Sequence, residues 1–139
     1  MKDKYFIDTN ILVYANDRSD REKQERAKTI ILQGIADESV AASTQVLSEF
    51  FVTVTQKIKI PLSTEIAKKQ IWLLKNIEIV DLDFHSVVQA IRILQNYRLS
   101  YWDALIVASA QTAKCTVLYS EDLNPGQKIE SVLIVNPFH

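Results

Sequence analysis

Short apolar runs alternate along this chain with helical stretches, and a carboxylate stands near most of the junctions. Residues 4–8, 40–43, 78–82, 116–120 and 132–135 have the length and the β-branched or aromatic content of buried strands. Helices are expected between them. One begins at about Asn10. A second follows Ser19-Asp20-Arg21-Glu22, whose spacing is that of a capping box, and carries Ala27, Ile30, Ile31 and Ile35 at helical intervals. Others are expected over 44–57 and 63–75, after Asp83 as far as Tyr97, and from Ser100 to about Lys114. Five short strands interleaved with helices predict an α/β fold: one domain over 1–139, with a five-stranded parallel sheet covered by helices on both faces. The 47% apolar content is enough for one such core.

Four carboxylates lie in or beside the apolar stretches. Asp8 follows Tyr5-Phe6-Ile7, and Glu49 sits within Val46-Leu47-Ser48-Glu49-Phe50-Phe51-Val52. Asp103 sits within Tyr101-Trp102-Asp103-Ala104-Leu105-Ile106-Val107, and Asp122 follows Val117-Leu118-Tyr119-Ser120-Glu121. Ligands of parallel sheets bind beyond the carboxyl ends of the strands, where all four acids are expected. Singly, each has an ordinary role. Asp8 could cap a helix, Asp103 could complete a capping box with Ser100, Glu49 could be a solvated helix charge, and Asp122 could belong to a turn before Asn124-Pro125-Gly126. Together they would form a hard-oxygen site for a divalent cation.

Other chemistries find little support. The only glycines, Gly34 and Gly126, are too far apart for a phosphate loop of either common kind, and no Gly-x-Ser-x-Gly elbow is present. The single cysteine, Cys115, cannot form an internal disulfide or a thiolate metal site and reads as a small core residue. Only three apolar residues precede Asp8, too few for a signal peptide, and no run is long enough to span a membrane; a cytoplasmic protein is expected. His85 and His139 read as surface groups. Trp72, Trp102, Phe50 and Phe51 read as core rather than as binding platforms. A net charge of −1 supplies no general attraction for polyanions.

The motifs, in order, resemble those of the PIN-domain nucleases. Asp8-Thr9-Asn10-Ile11-Leu12-Val13-Tyr14-Ala15 is similar to the family's opening, Ser48-Glu49-Phe50 to its internal glutamate, Tyr101 to Ala110 to its third acidic motif, and Leu118-Tyr119-Ser120-Glu121-Asp122-Leu123 to its last strand and acid. The resemblance spans the whole chain and is strongest to the VapC-type toxins of toxin–antitoxin pairs. It implies a ribonuclease using Mg²⁺ or Mn²⁺, a homodimer, and silencing by a small antitoxin protein. Carried over, the catalytic and metal-binding acids are Asp8, Glu49, Asp103 and Asp122, with Thr9, Asn10 and Ser120 supporting them. Glu121 is an alternative fourth acid; the pattern of hydroxyl, any residue, aspartate favours Asp122.

Several acids brought together would repel one another, each pair by about 4 kcal/mol at ~4 Å in an effective dielectric of about 20. A divalent cation offsets that repulsion and supplies the charge neutralisation and the acidified water that phosphodiester hydrolysis needs. Asp8 and Asp103 are the expected main ligands, Asp122 binds directly or through water, and Glu49 orients a water or completes a second position. Arg18, Lys57, Lys59 and Arg98 are candidate contacts to the RNA backbone. Phe50, Phe51, Ile58, Ile60, Trp72 and Leu74 exceed what short helices readily bury and mark a candidate groove for an antitoxin helix. The readings from other classes are a metal-dependent phosphatase-like hydrolase and a non-catalytic binding module. A haloacid-type phosphatase would want an acid where Asn10 stands.

Overall fold

The computed structural model describes residues 3–138; His139 lies outside them. In chain order the elements are β1 (Tyr5–Ile7), α1 (Thr9–Ala15), α2 (Arg21–Asp37), β2 (Val40–Ser43), α3 (Thr44–Gln56), α4 (Thr64–Leu73), β3 (Glu78–Val80), α5 (Phe84–Asn96), α6 (Tyr101–Thr112), β4 (Val117–Tyr119), β5 (Lys128–Ile129) and β6 (Val132–Val135). The expected strands and helices are all present, with ends within two residues of their expected places. One cap differs. Asp20, not Ser19, starts α2, its carboxylate accepting from Lys23 N at 3.1 Å. Asp at this position offers the helix N-terminus a full negative charge that a serine hydroxyl does not.

The sheet runs in the order β3-β2-β1-β4-β6-β5. Five strands are parallel, as expected. The sixth, β5, pairs antiparallel with β6. It has only two residues, and its hairpin loop Glu130-Ser131 turns with Glu130 at φ 55°, so neither a strand period nor a glycine-containing turn signals it.

Strand order places the site. From β1 the chain steps to β2 and then to β3 in one direction; from β3 it returns to the far side of β1 and continues outward through β4 to β6. Right-handed crossovers in opposite directions put α1–α4 on one face of the sheet and α5–α6 on the other. Strand order reverses between β1, which leads into α1 on one face, and β4, which is reached from α6 on the other, so their carboxyl ends bound a crevice. Phe6, Ile7, Ala41, Ala42, Leu118 and Ile134 form the buried middle of the sheet. Helix α6 is apolar all round and buried from Ala104 to Ala110. On α3, Val46, Phe50 and Val54 recur every four residues and are wholly buried.

One close approach holds α2 on the sheet. A Cβ at Gly34 would meet Tyr5 Oη and stand 2.6 Å from Val40 Cβ. The space is already taken by the Tyr5 hydroxyl, which donates to the Ile30 carbonyl at 2.6 Å.

Candidate functional site

Asp8 is the first residue beyond β1 and the N-cap of α1, so one carboxylate sits where strand and helix meet. Asp8 N donates to Tyr119 O of β4 at 3.0 Å, closing the two strand ends together. Its side chain is 7% exposed. Oδ1 accepts from Thr9 N at 2.7 Å and Oδ2 from Ser120 Oγ at 2.7 Å. Ser120 Oγ in turn accepts from Asp122 N at 3.2 Å. One buried hydroxyl thus ties the first acid to the segment that carries the last.

Asn10 works across the same crevice. Its Nδ2 donates to Asp122 Oδ2 at 3.1 Å, and its Oδ1 accepts from Glu121 N at 3.2 Å. Glu121 is held elsewhere: its carboxylate accepts from Tyr14 Oη at 2.6 Å and pairs with Lys23. The adjacent acids therefore point to different partners, Asp122 to Asn10 and Glu121 to Tyr14 and Lys23. The ammonium of Lys23 also lies 4.7 Å from the Tyr14 ring centroid, and its pKa is raised, chiefly by the bond to Glu121.

Glu49 lies in the second turn of α3 and is exposed. Thr9 Oγ1 donates to its Oε1 at 2.6 Å. Asp103 stands in the first turn of α6, where its amide donates to Ser100 Oγ at 3.1 Å. Asp8, Thr9, Asn10, Glu49, Asp103 and Asp122 all line one open cavity of about 730 Å³, together with Lys57 and Trp102, and Glu121 and Tyr14 line it as well. That volume is within the range of small-ligand sites. Among the expected backbone contacts only Lys57 reaches this cavity. Arg18 lines a separate groove, and Lys59 and Arg98 line neither.

The electrostatics join all four acids. Burial pushes the Asp8 carboxyl up to about 6, against the hydrogen bonds from Ser120 and Thr9, and the charges of Asp122 and Asp103 push it the same way. The Asp103 carboxyl is also raised, first by burial, with Asp122 and Glu49 adding to it. The carboxylates are within electrostatic reach of one another, yet among the described residues no three acidic, histidine or cysteine side chains stand at the spacing of a preformed cation site. The donors are all oxygens lining one cavity, and burial, reinforced by the neighbouring carboxylates, raises the pKa of Asp8 and of Asp103. That donor chemistry fits a hard divalent cation such as Mg²⁺ or Mn²⁺.

Three contributors escaped the sequence reading. Tyr14 is four residues after Asn10, so both face β4 from α1, a helical spacing that could have revealed it. Lys23 left no local signal. Gln45 Nε2 reaches Trp102 O at 3.2 Å and Glu49 Oε2 at 3.4 Å, linking α3 to α6. Two aromatic expectations are corrected. Trp102 is 62% and Trp72 59% exposed, not core; Phe50 is fully buried and Phe51 partly so. Both tryptophans sit on the outward side of helices whose inward positions are filled by smaller residues. Cys115 is buried, its thiol pushed up to about 12 by that burial, and His85 is exposed outside the cavity.

The PIN domain model matches residues 5–127. Among solved structures, a toxin–antitoxin complex from Klebsiella pneumoniae is similar at 22% identity and TM-score 0.69, covering 96% of this chain and 98% of that one. The sarcin-ricin loop cleaving toxin VapC20 of Mycobacterium tuberculosis matches at 18% and 0.65, covering 86% and 90%. VapBC2 of Rickettsia felis, bound to a DNA fragment from its promoter, matches at 18% and 0.66, covering 94% and 96%. No curated protein sequence matches significantly.

Proposed function

Because this chain belongs to the PIN domain family, we propose that it is a metal-dependent ribonuclease and the toxin of a type II toxin–antitoxin pair. The observation that carries this reading is the convergence of Asp8, Glu49, Asp103 and Asp122 on one cavity at the β1/β4 crevice. Asp8 and Asp103 would be the main ligands of Mg²⁺ or Mn²⁺, Asp122 would join directly or through water, and Glu49 would complete the oxygen set. Bound there, the cation supplies an acidified water and offsets charge on the phosphodiester. The chain's own groups prepare the place. Ser120 and Thr9 N fix both Asp8 oxygens, and Thr9 Oγ1 fixes Glu49. Asn10 binds Asp122, and Tyr14 and Lys23 engage the Glu121 carboxylate in the same cavity. Lys57 is the cation on hand for a substrate phosphate.

Partners follow the two apolar surfaces. The candidate antitoxin groove keeps two of the expected residues, Phe50 and Leu74, in its buried lining, whereas Ile60 and Trp72 are exposed outside it. Its walls are Leu12, Ile31, Leu32, Ile35, Ile66 and Leu73, with Arg18 and Lys28 beside them, which suits an amphipathic helix carrying acidic flanks. On α5, Phe84, Val87, Val88 and Ile91 are exposed at spacings of three and four, a stripe for a second copy of the chain. No described helix is long and apolar enough to cross a membrane, and a cytoplasmic location accords with the lone buried thiol. The test is incubation with RNA, DNA and a chromogenic phosphate ester, with and without Mn²⁺. RNA cleavage that needs Mn²⁺ is expected. Hydrolysis of the ester alone would favour a phosphatase, and inactivity on all three a binding module.

A further inference from the structure

Trp102 is the residue that the proposed chemistry leaves unused. It is 62% exposed although indole is a costly surface to leave in water. It immediately precedes Asp103 and lines the same cavity. Its position is held rather than loose. The Tyr101 ring packs edge-on against it, centroids 5.2 Å apart at 76°, and Gln45 grips its carbonyl while reaching Glu49. Val52 and Ile106 add apolar wall to the same cavity. A phosphate alone has no use for such a surface, and a negatively charged pocket repels it. A nucleobase has a flat π-face, hangs about one nucleotide's reach from its phosphate, and stacks on aromatics without regard to sequence.

Resting on the ribonuclease reading, we propose that Trp102 is a stacking platform for the base beside the scissile phosphate. A base inside a duplex is stacked on its neighbours and cannot lie on the indole. The platform sets which RNAs are taken, and the carboxylates perform the cleavage.

The experiment uses the full chain with Trp72→Phe, which removes the other indole and leaves Trp102 as the fluorophore. Stopped-flow mixing with Mn²⁺ reads quenching before turnover, using a ten-nucleotide single-stranded RNA, an abasic strand of equal length and a blunt RNA hairpin. Saturable quenching by the base-bearing single strand alone is expected. In the chain with native Trp72, cleavage of the same RNA should show KM raised roughly tenfold by Trp102→Ala and little changed by Trp102→Phe. Equal binding of the abasic strand, or an unchanged KM in Trp102→Ala, overturns the proposal. So does a Trp102→Ala protein that keeps its RNA affinity but loses its complex with a second copy or with an antitoxin, because the indole is then a protein contact. Base-dependent quenching without cleavage of any strand would sustain the platform and remove the ribonuclease reading; cleavage indifferent to Trp102 would do the reverse.

Discussion

At the scale of single residues, the most consequential group is Asp8, a buried carboxylate whose pKa rises to about 6. The unfolded chain releases this proton near pH 4 and the folded chain near 6, so folding stability falls as pH rises through that window. Above pH 6 the ionised group opposes folding by about 3 kcal/mol. The metal-free Asp8→Asn protein should therefore match the wild type near pH 4 and exceed it above pH 6. Urea unfolding at both values checks this; equal midpoints at pH 7 would show that Asp8 is not strained. The same variant should lose RNA cleavage. Ser120→Ala and Thr9→Val remove the groups that orient Asp8 and Glu49 and should each lower cleavage about 10- to 100-fold while leaving the protein folded. Glu121 shares the cavity, but its carboxylate is already engaged by Tyr14 and Lys23, so Glu121→Gln should keep more activity than Asp122→Asn under identical Mn²⁺; the reverse ranking would exchange their roles.

At the scale of elements, α2 rests on β1 and β2 only because position 34 lacks a side chain. In an exposed helix Gly→Ala stabilises by about 1 kcal/mol. Here the added methyl meets Tyr5 and Val40, and overpacking costs about 1–3 kcal/mol. Gly34→Ala should lower the thermal midpoint, and a raised midpoint would mean that α2 can shift freely. The groove beside α2 gives a separable outcome. Leu73 is 68% exposed on α4, so Leu73→Glu should spare folding and RNA cleavage. If the groove takes an apolar helix, the substitution should weaken binding of a cognate antitoxin by about 30-fold. Calorimetry of the purified pair reads this directly.

At the scale of the whole molecule, a net charge of −1 leaves substrate attraction to local groups and to the cation. If the four acids hold the proposed cation, metal binding and folding form one linked equilibrium. Mg²⁺ at a hundred times its dissociation constant should stabilise the fold by about 2.7 kcal/mol, or roughly 8 °C in Tm for a chain of this size. The Asp8→Asn/Asp103→Asn double variant should show little of that rise, and chelation should abolish cleavage by the wild type. An equal Tm rise in both proteins would place the cation elsewhere. Light scattering should give dimers for the wild type and monomers for Ile91→Glu on the α5 stripe; monomers for both would leave the stripe without a second copy.

The sequence by itself determined the alternation of strands and helices, because buried strands and amphipathic helices impose different periods on their apolar residues. It also marked Asp8, Glu49, Asp103 and Asp122, because a carboxylate among apolar neighbours is costly unless it has work to do. Local rules placed Asp83 and Ser100 at helix starts, where each side chain accepts a backbone amide. Only the tertiary structure decided the rest. Strand order made β1 and β4 neighbours and so created the crevice. Contacts more than a hundred residues apart, Ser120 to Asp8 and Asn10 to Asp122, have no trace in local spacing. The partners of Glu121 lie on α1 and α2, which no motif around Glu121 announces. The fate of the large apolar residues was equally non-local. Phe50 and Trp102 look alike as sequence, but burial depends on what the remaining elements bring to each face, and they brought a core to Phe50 and open solvent beside the acids to Trp102.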